Sequence, residues 1–129
     1  MTTPLDPVTT YVEWLRQNSR IRDVGGMVQI TLPFLDRHND FIQIYVKPDG
    51  EDLVLTDDGY VLSDLKASGC NINTPERCAL LEKIIQGHGI HLDQQELTAR
   101  ATPATLALRL QSLLLAMLAL GNLSLSEGT

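Results

Sequence analysis

The chain lacks most of the features that announce a function. It has no basic excess: ten lysines and arginines stand against sixteen aspartates and glutamates, for a net charge of −6. Nucleic-acid binders normally carry a basic face. Direct nucleic-acid contact is therefore not expected, although a local basic patch is compatible with this composition. Only two cysteines occur, Cys70 in an expected loop and Cys78 on an expected helix. They form no disulfide framework and no metal spacing surrounds them, so two reduced thiols in a cytoplasmic protein are expected. The N-terminus, "MTTPLDPVTTYVEW", shows no basic region followed by an apolar run, so no signal peptide is expected. The one long apolar segment, "ATLALRLQSLLLAMLALG", is interrupted by Arg109, Gln111 and Ser112. It falls short of the roughly 20 apolar residues that a membrane span needs.

Chemical motifs are missing as well. There is no glycine-rich phosphate loop, no nucleophile elbow and no cysteine beside an obvious base. The nuclease pattern of an acid on one strand and Glu-x-Lys on the next is absent, because "IQIYVK" offers Lys47 without a matching glutamate. His88 and His91 flank Gly89 but have no partner pair with which to hold a metal. No cofactor and no metal are expected, and no internal repeat or interdomain linker is visible.

What is present reads as one globular domain over residues 1–129. The length and the 43% hydrophobic content suit a single core. That core is expected over about residues 6–121, with the last eight residues, "NLSLSEGT", fraying. Asp6-Pro7 is a cap followed by proline at the first helical position. Val8, Tyr11, Val12, Trp14 and Leu15 then recur at helical spacing up to Asn18 or Ser19. Arg16, Arg20 and Arg22 are read as cations gathered at the end of this helix. Gly25-Gly26 breaks the chain.

Three alternating runs follow. "MVQITLPF" is expected to end at Pro33, "FIQIYVK" comes after the polar turn "DRHND", and "DLVLT" comes after the turn "PDGED". Short links between them imply an antiparallel meander. In "LTDDGYVLSDLKASG", Asp58 is read as the N-cap of a helix ended by Gly69; alternatively Tyr60 to Leu62 continue as strand. Thr74-Pro75 opens a helix packing through Cys78, Leu81, Ile84 and Ile85, which "GHG" ends. "ELTARAT" is a short strand with Leu97 and Ala99 inward. Thr102-Pro103 opens a last helix that Gly121 closes. The order is α-β-β-β-α-α-(β)-α: an α+β domain with a three- to four-stranded antiparallel sheet and helices mainly on one face.

Two surfaces are candidates for function. On the last helix, Leu106, Leu110, Leu113, Leu114 and Met117 form one stripe, while Leu108, Leu115 and Leu118 lie outside it. A helix apolar nearly all round calls for cover on both sides, so Leu108, Leu115 and Leu118 are expected to form a homodimer interface. The second surface is a polar rim. In a meander, the third strand finishes where the first turn lies. Asp36, Arg37, His38, Asn39, Asp40, Asp57 and Asp58, with Tyr60 beside them, are thereby placed on one edge. Asp57 and Asp58 are adjacent, so on regular structure their side chains diverge, whereas paired acid–base carboxylates or metal ligands must converge. Turn and cap chemistry is the plain reading, and a polar binding rim without catalysis, formed by Asp36, Arg37, His38, Asp40, Asp57, Asp58 and Tyr60, is the second. A metal-dependent hydrolase or nuclease using Asp36, Asp40, Asp57 and Asp58 is the enzymatic alternative.

The stretch "PFLDRHNDFIQIYVKPDGEDLVLTDDGYVLSDLKASG" resembles domain-of-unknown-function family eighteen twenty-eight, small proteins of bacteria, phages and prophages. The "DRHNDF" turn, the "IQIYV" strand, "LTDDGY" with "SDL" after it, and "SG" carry the likeness. A looser match runs through "RCALLEKIIQGHGI" to "LLLAMLAL", so it spans roughly residues 25–120. The family carries no assigned activity, so no catalytic residue transfers. Its occurrence in mobile elements implies a small non-enzymatic interaction protein that binds a protein partner, in its sharpest form an inhibitor of a host defence complex. A regulatory part of a toxin–antitoxin or restriction cassette fits the same residues.

Overall fold

A computed structural model describes residues 5–69 and 74–123. Cys70 and most of the expected fraying tail lie outside the described residues. The elements are α1 (Pro7–Asn18), β1 (Arg20–Val24), β2 (Met27–Leu35), β3 (Phe41–Asp49), β4 (Asp52–Thr56), α2 (Tyr60–Ala67), α3 (Pro75–Gly87), β5 (His91–Asp93), β6 (Glu96–Ala101) and α4 (Leu106–Gly121).

One sheet of six strands runs in the order β1-β2-β3-β4-β6-β5, with every pairing antiparallel. It is thus an α+β domain with a wider sheet than the three to four strands expected. The two extra strands are its edges. β1 takes Arg20 and Arg22, which the sequence reading assigned to the end of α1; only Arg16 lies in the last turn of that helix. β5 pairs with β6 through a turn in which Gln94 and Gln95 both have positive φ. Asparagine and glycine are the usual residues there, so nothing in "DQQE" advertised a hairpin. By contrast, Gly25-Gly26, also both at positive φ, make the β1–β2 turn where glycine is needed.

Alternation sets the core. Leu32, Ile42, Ile44, Val46, Leu55, Leu97, Ala99 and Ala101 project from one face of the sheet and are buried. α4 lies across β3, β4 and β6, with α2 and α3 against it. It buries Leu113, Leu114, Ala116, Met117 and Leu120. Removing a fully buried leucine such as Leu55, Leu65 or Leu113 is worth about 2–5 kcal/mol.

Several expectations change here. β2 continues through Pro33 to Leu35, because a register shift between Leu32 and Leu35 takes up a residue that cannot donate to the ladder. Tyr60 to Leu62 are helical. Cys78 is exposed, and α3 packs through Leu81, Ile84 and Ile85 without it. α4 begins one turn after Pro103, because Thr102 and Thr105 first close a tight turn by exchanging backbone and hydroxyl hydrogen bonds. Leu123 does not fray: it is buried, and its carbonyl accepts a bond from Arg77. Leu118 packs against the core, so only Leu108 and Leu115 of the expected dimer surface stand exposed. Single exposed leucines are ordinary on a protein surface.

α1 forms as its caps dictate, with both Val8 and Thr9 amides donating to Asp6. Yet it buries no residue. Val8, Tyr11, Val12 and Trp14 are all exposed, so their helical spacing marks the helix and not a buried face.

Candidate functional site

The polar rim assembles around α2. Tyr60 and Asp64 are four residues apart, which places them on one helix face. The Tyr60 hydroxyl donates to Asp36 Oδ2 at 2.8 Å. Asp64 receives Arg37 at 3.0 Å and the His38 ring at 2.7 Å. Arg37 also reaches the Ser68 hydroxyl at the end of the helix. Asp36 closes its own turn by accepting the amides of His38 and Asp40. The first turn and the start of α2 therefore do share one edge, as the strand order requires. Asp64 is the residue that sequence reasoning missed. Its signal was the "YVLSD" spacing, which aligns it with Tyr60 once the helix is known.

Asp57 takes a different course. It is only 1% exposed, and its carboxylate accepts three backbone amides: Gly59 at 2.9 Å, Val61 at 3.0 Å and Leu97 at 3.0 Å. It caps α2 and ties that helix to β6. The cap role expected of Asp58 thus belongs to Asp57. Asp58 and Gly59 both have positive φ, and the helix starts only after them. With the chain turning left-handed at Asp58, the carboxylate one residue earlier is the one aimed at the free amides. Below it, the buried Thr56 hydroxyl accepts the Asp58 amide and donates to Glu96.

Protonation follows from these contacts. Burial pushes the Asp57 carboxyl above its ordinary value, against the pull of the three amides. Partial burial also acts upward on Asp36. The Tyr60 hydroxyl, the Asp40 and His38 amides and the His38 charge outweigh it, so the Asp36 carboxyl sits below its ordinary value. Burial, then the Asp36 carboxylate, raises the Tyr60 hydroxyl well beyond the usual phenol range.

A cleft of about 650 Å³ runs along the rim, with Asp40, Phe41, Asp58, Tyr60, Ser63 and Asp64 in its wall. Its carboxylates do not converge. Asp57 is turned inward and Asp64 is engaged by Arg37 and the His38 ring, while Asp40 and Asp58 are exposed. Among the described residues, no group of three or more His, Cys, Asp or Glu side chains is placed to share a metal ion. His88 turns its Nδ1 to the Ile84 carbonyl at 2.8 Å, and His91 lies on the edge strand β5. The arrangement is that of a structural clasp.

A second surface was not foreseen. The face of the sheet opposite the core carries two cross-strand rows, Arg20–Thr31–Gln43 and Arg22–Gln29–Tyr45. Gln29 donates to Gln43 and to the Tyr45 hydroxyl, both at 3.1 Å. With Trp14 of α1 and Phe41 of β3, the members of these rows other than Tyr45 line a groove of about 970 Å³, whereas Tyr45 lies in the wall of the rim cleft. No carboxylate lines it. Arg20 and Arg22 form no ion pair among the described residues.

The family described as "Domain of unknown function DUF1828" matches residues 32–120, and the chain belongs to it. No curated protein and no solved structure matches.

Proposed function

We propose that this member of the family is a non-enzymatic binding module that acts by holding a protein partner. The observation carrying this reading is the unequal use of polar side chains. At the rim, Asp36, Arg37, Asp57, Tyr60 and Asp64 are bonded to one another or to backbone, so that of its acids only Asp40 and Asp58 stand exposed. Around α1 and the open sheet face, tryptophan, tyrosine, phenylalanine and arginine lie exposed. Those residue types are enriched at the centres of protein interfaces, where lysine, aspartate and glutamate are depleted.

Calorimetric titration with magnesium, manganese and zinc, run beside an affinity capture from the native host, tests the proposal. No saturable metal heat and one stoichiometric protein partner are expected. A metal isotherm lost in Asp40→Asn or Asp58→Asn would reverse the reading in favour of hydrolytic chemistry. A sharper form follows from the net charge of −6: competition with nucleic acid for a basic channel on a defence complex. It requires binding that weakens steeply with salt.

A further inference from the structure

The six aromatic residues of the chain are unusually placed. Aromatic side chains normally dominate a core, yet no aromatic is among the fully buried residues here. Tyr11, Trp14, Phe41 and Tyr45 instead collect around α1 and the open sheet face, and Tyr11 stacks on Trp14 with ring centroids 6.1 Å apart. Six of the thirteen exposed large apolar side chains lie between Leu5 and Ile21. All six precede the segment that the family matches.

This region also ends in an open strand edge. β1 is the terminal strand of the sheet and pairs only with β2. Among the described residues, none of the backbone hydrogen bonds outside the ladders involves Arg20 to Val24. An unpaired edge is a template for another strand. Residues on β1 alternate: Arg20 and Arg22 lie on the open face of the sheet, and Ile21, 74% exposed and at the margin of the groove, lies on the other.

We infer that β1 receives an extended, acidic segment of a protein partner by strand addition. The incoming strand carries acidic residues opposite Arg20 and Arg22 and an apolar residue opposite Ile21. Backbone bonding along the edge supplies affinity and the alternating side chains supply selectivity. Charge complementarity sets the choice of occupant. A carboxylate-free groove with two unpaired guanidinium groups favours acidic side chains, and Arg pairs with carboxylates bidentately. The inference rests on the binding-module reading and specifies where that binding occurs.

The test uses the full chain and a short fluorescent peptide alternating glutamate with valine. Controls are the same residues in block order, a lysine–valine counterpart and a single-stranded oligothymidine. The alternating acidic peptide is expected to bind and to slow amide exchange along β1. The double variant Arg20→Glu/Arg22→Glu is expected to lose at least about tenfold in affinity for it and to gain the lysine peptide. Because both arginines are exposed and unpaired, that variant keeps the fold, which the unchanged amide exchange of β3 and β6 verifies. Three outcomes overturn the inference: equal binding of the block peptide, binding indifferent to charge reversal, or preference for the oligothymidine. Concentration-dependent self-association that excludes the peptide overturns it too, by assigning the edge to a second copy. If the double variant still captures the natural partner, the edge assignment fails while the binding-module reading stands.

Discussion

The rim within residues 32–120 and the segment before residue 32 treat their charged side chains differently. In the family-matched part, Asp57 holds three backbone amides, Asp64 holds Arg37 and His38, and Tyr60 holds Asp36. In the preceding segment, Arg20 and Arg22 hold nothing, and Trp14 and Ile21 face solvent. A buried polar group without a partner costs far more than a bonded one gains, so the rim network belongs to folding. Exposed guanidinium and indole groups contribute little to folding, and the proposed recognition role would account for their clustering. An acidic cluster draws the eye in the sequence, but three of its acids, Asp36, Asp57 and Asp64, are tied into the fold.

Substitutions separate the two roles. Asp57→Ala is expected to be the most damaging, at about 3 kcal/mol or more, since it strands three amides at once; chemical denaturation measures this. The carboxylate also sets a pH response. Below the ordinary value of 3.8, Asp57 is protonated in both folded and unfolded chains. As pH rises past 3.8, the unfolded chain releases its proton first. Stability due to this group therefore falls until the raised folded value is passed, and then stays level. Asp57→Asn should remove that slope from a plot of stability against pH. Asp36, with its lowered value, contributes the opposite trend: its share of stability is lost as acidification passes through the folded value.

Asp64→Ala comes next, at about 1–3 kcal/mol, because Arg37 is left largely buried without its carboxylate. Amide exchange in the Asp36–Asp40 turn should rise with it. Tyr60→Phe should cost about 0.5–1.5 kcal/mol, the worth of one hydrogen bond, read from the shift in denaturation midpoint. Arg20→Ala and Arg22→Ala should stay within about 0.5 kcal/mol of the parent while weakening partner binding. A large stability loss at either arginine would erase the distinction between the two regions.

Much of the scaffold was legible because local chemistry announced it. Cap-then-proline at Asp6-Pro7 and Thr74-Pro75 located two helices, and strict alternation located β2, β3 and β4. Leu97 and Ala99 were correctly placed inward in β6. The edges escaped for a physical reason. β1 carries charges because it borders solvent, and β5 has only three residues and a glutamine turn, so neither shows a buried period. At the rim, the strand order brought Asp36, Arg37, His38 and Tyr60 together as the sequence implied. The exchange of roles between Asp57 and Asp58 depends on one left-handed backbone angle at Asp58, to which sequence patterns are blind. The groove draws on α1, β1, β2 and β3 together and leaves no mark on any single stretch.

Folding kinetics inherit the sheet order. β1 to β4 close over short links, so that meander needs little loop entropy. β6 reaches β4 only after an excursion through α2, α3 and β5, and forty residues separate Asp57 from the Leu97 amide it holds. Long-range pairing of this kind is slow relative to local hairpins. The meander is therefore expected to assemble before β6 docks, with Asp57 engaging the Leu97 amide as the sheet is completed. Until that moment the β4 edge is open, and this is the interval in which the folding chain is most exposed to pairing with its neighbours.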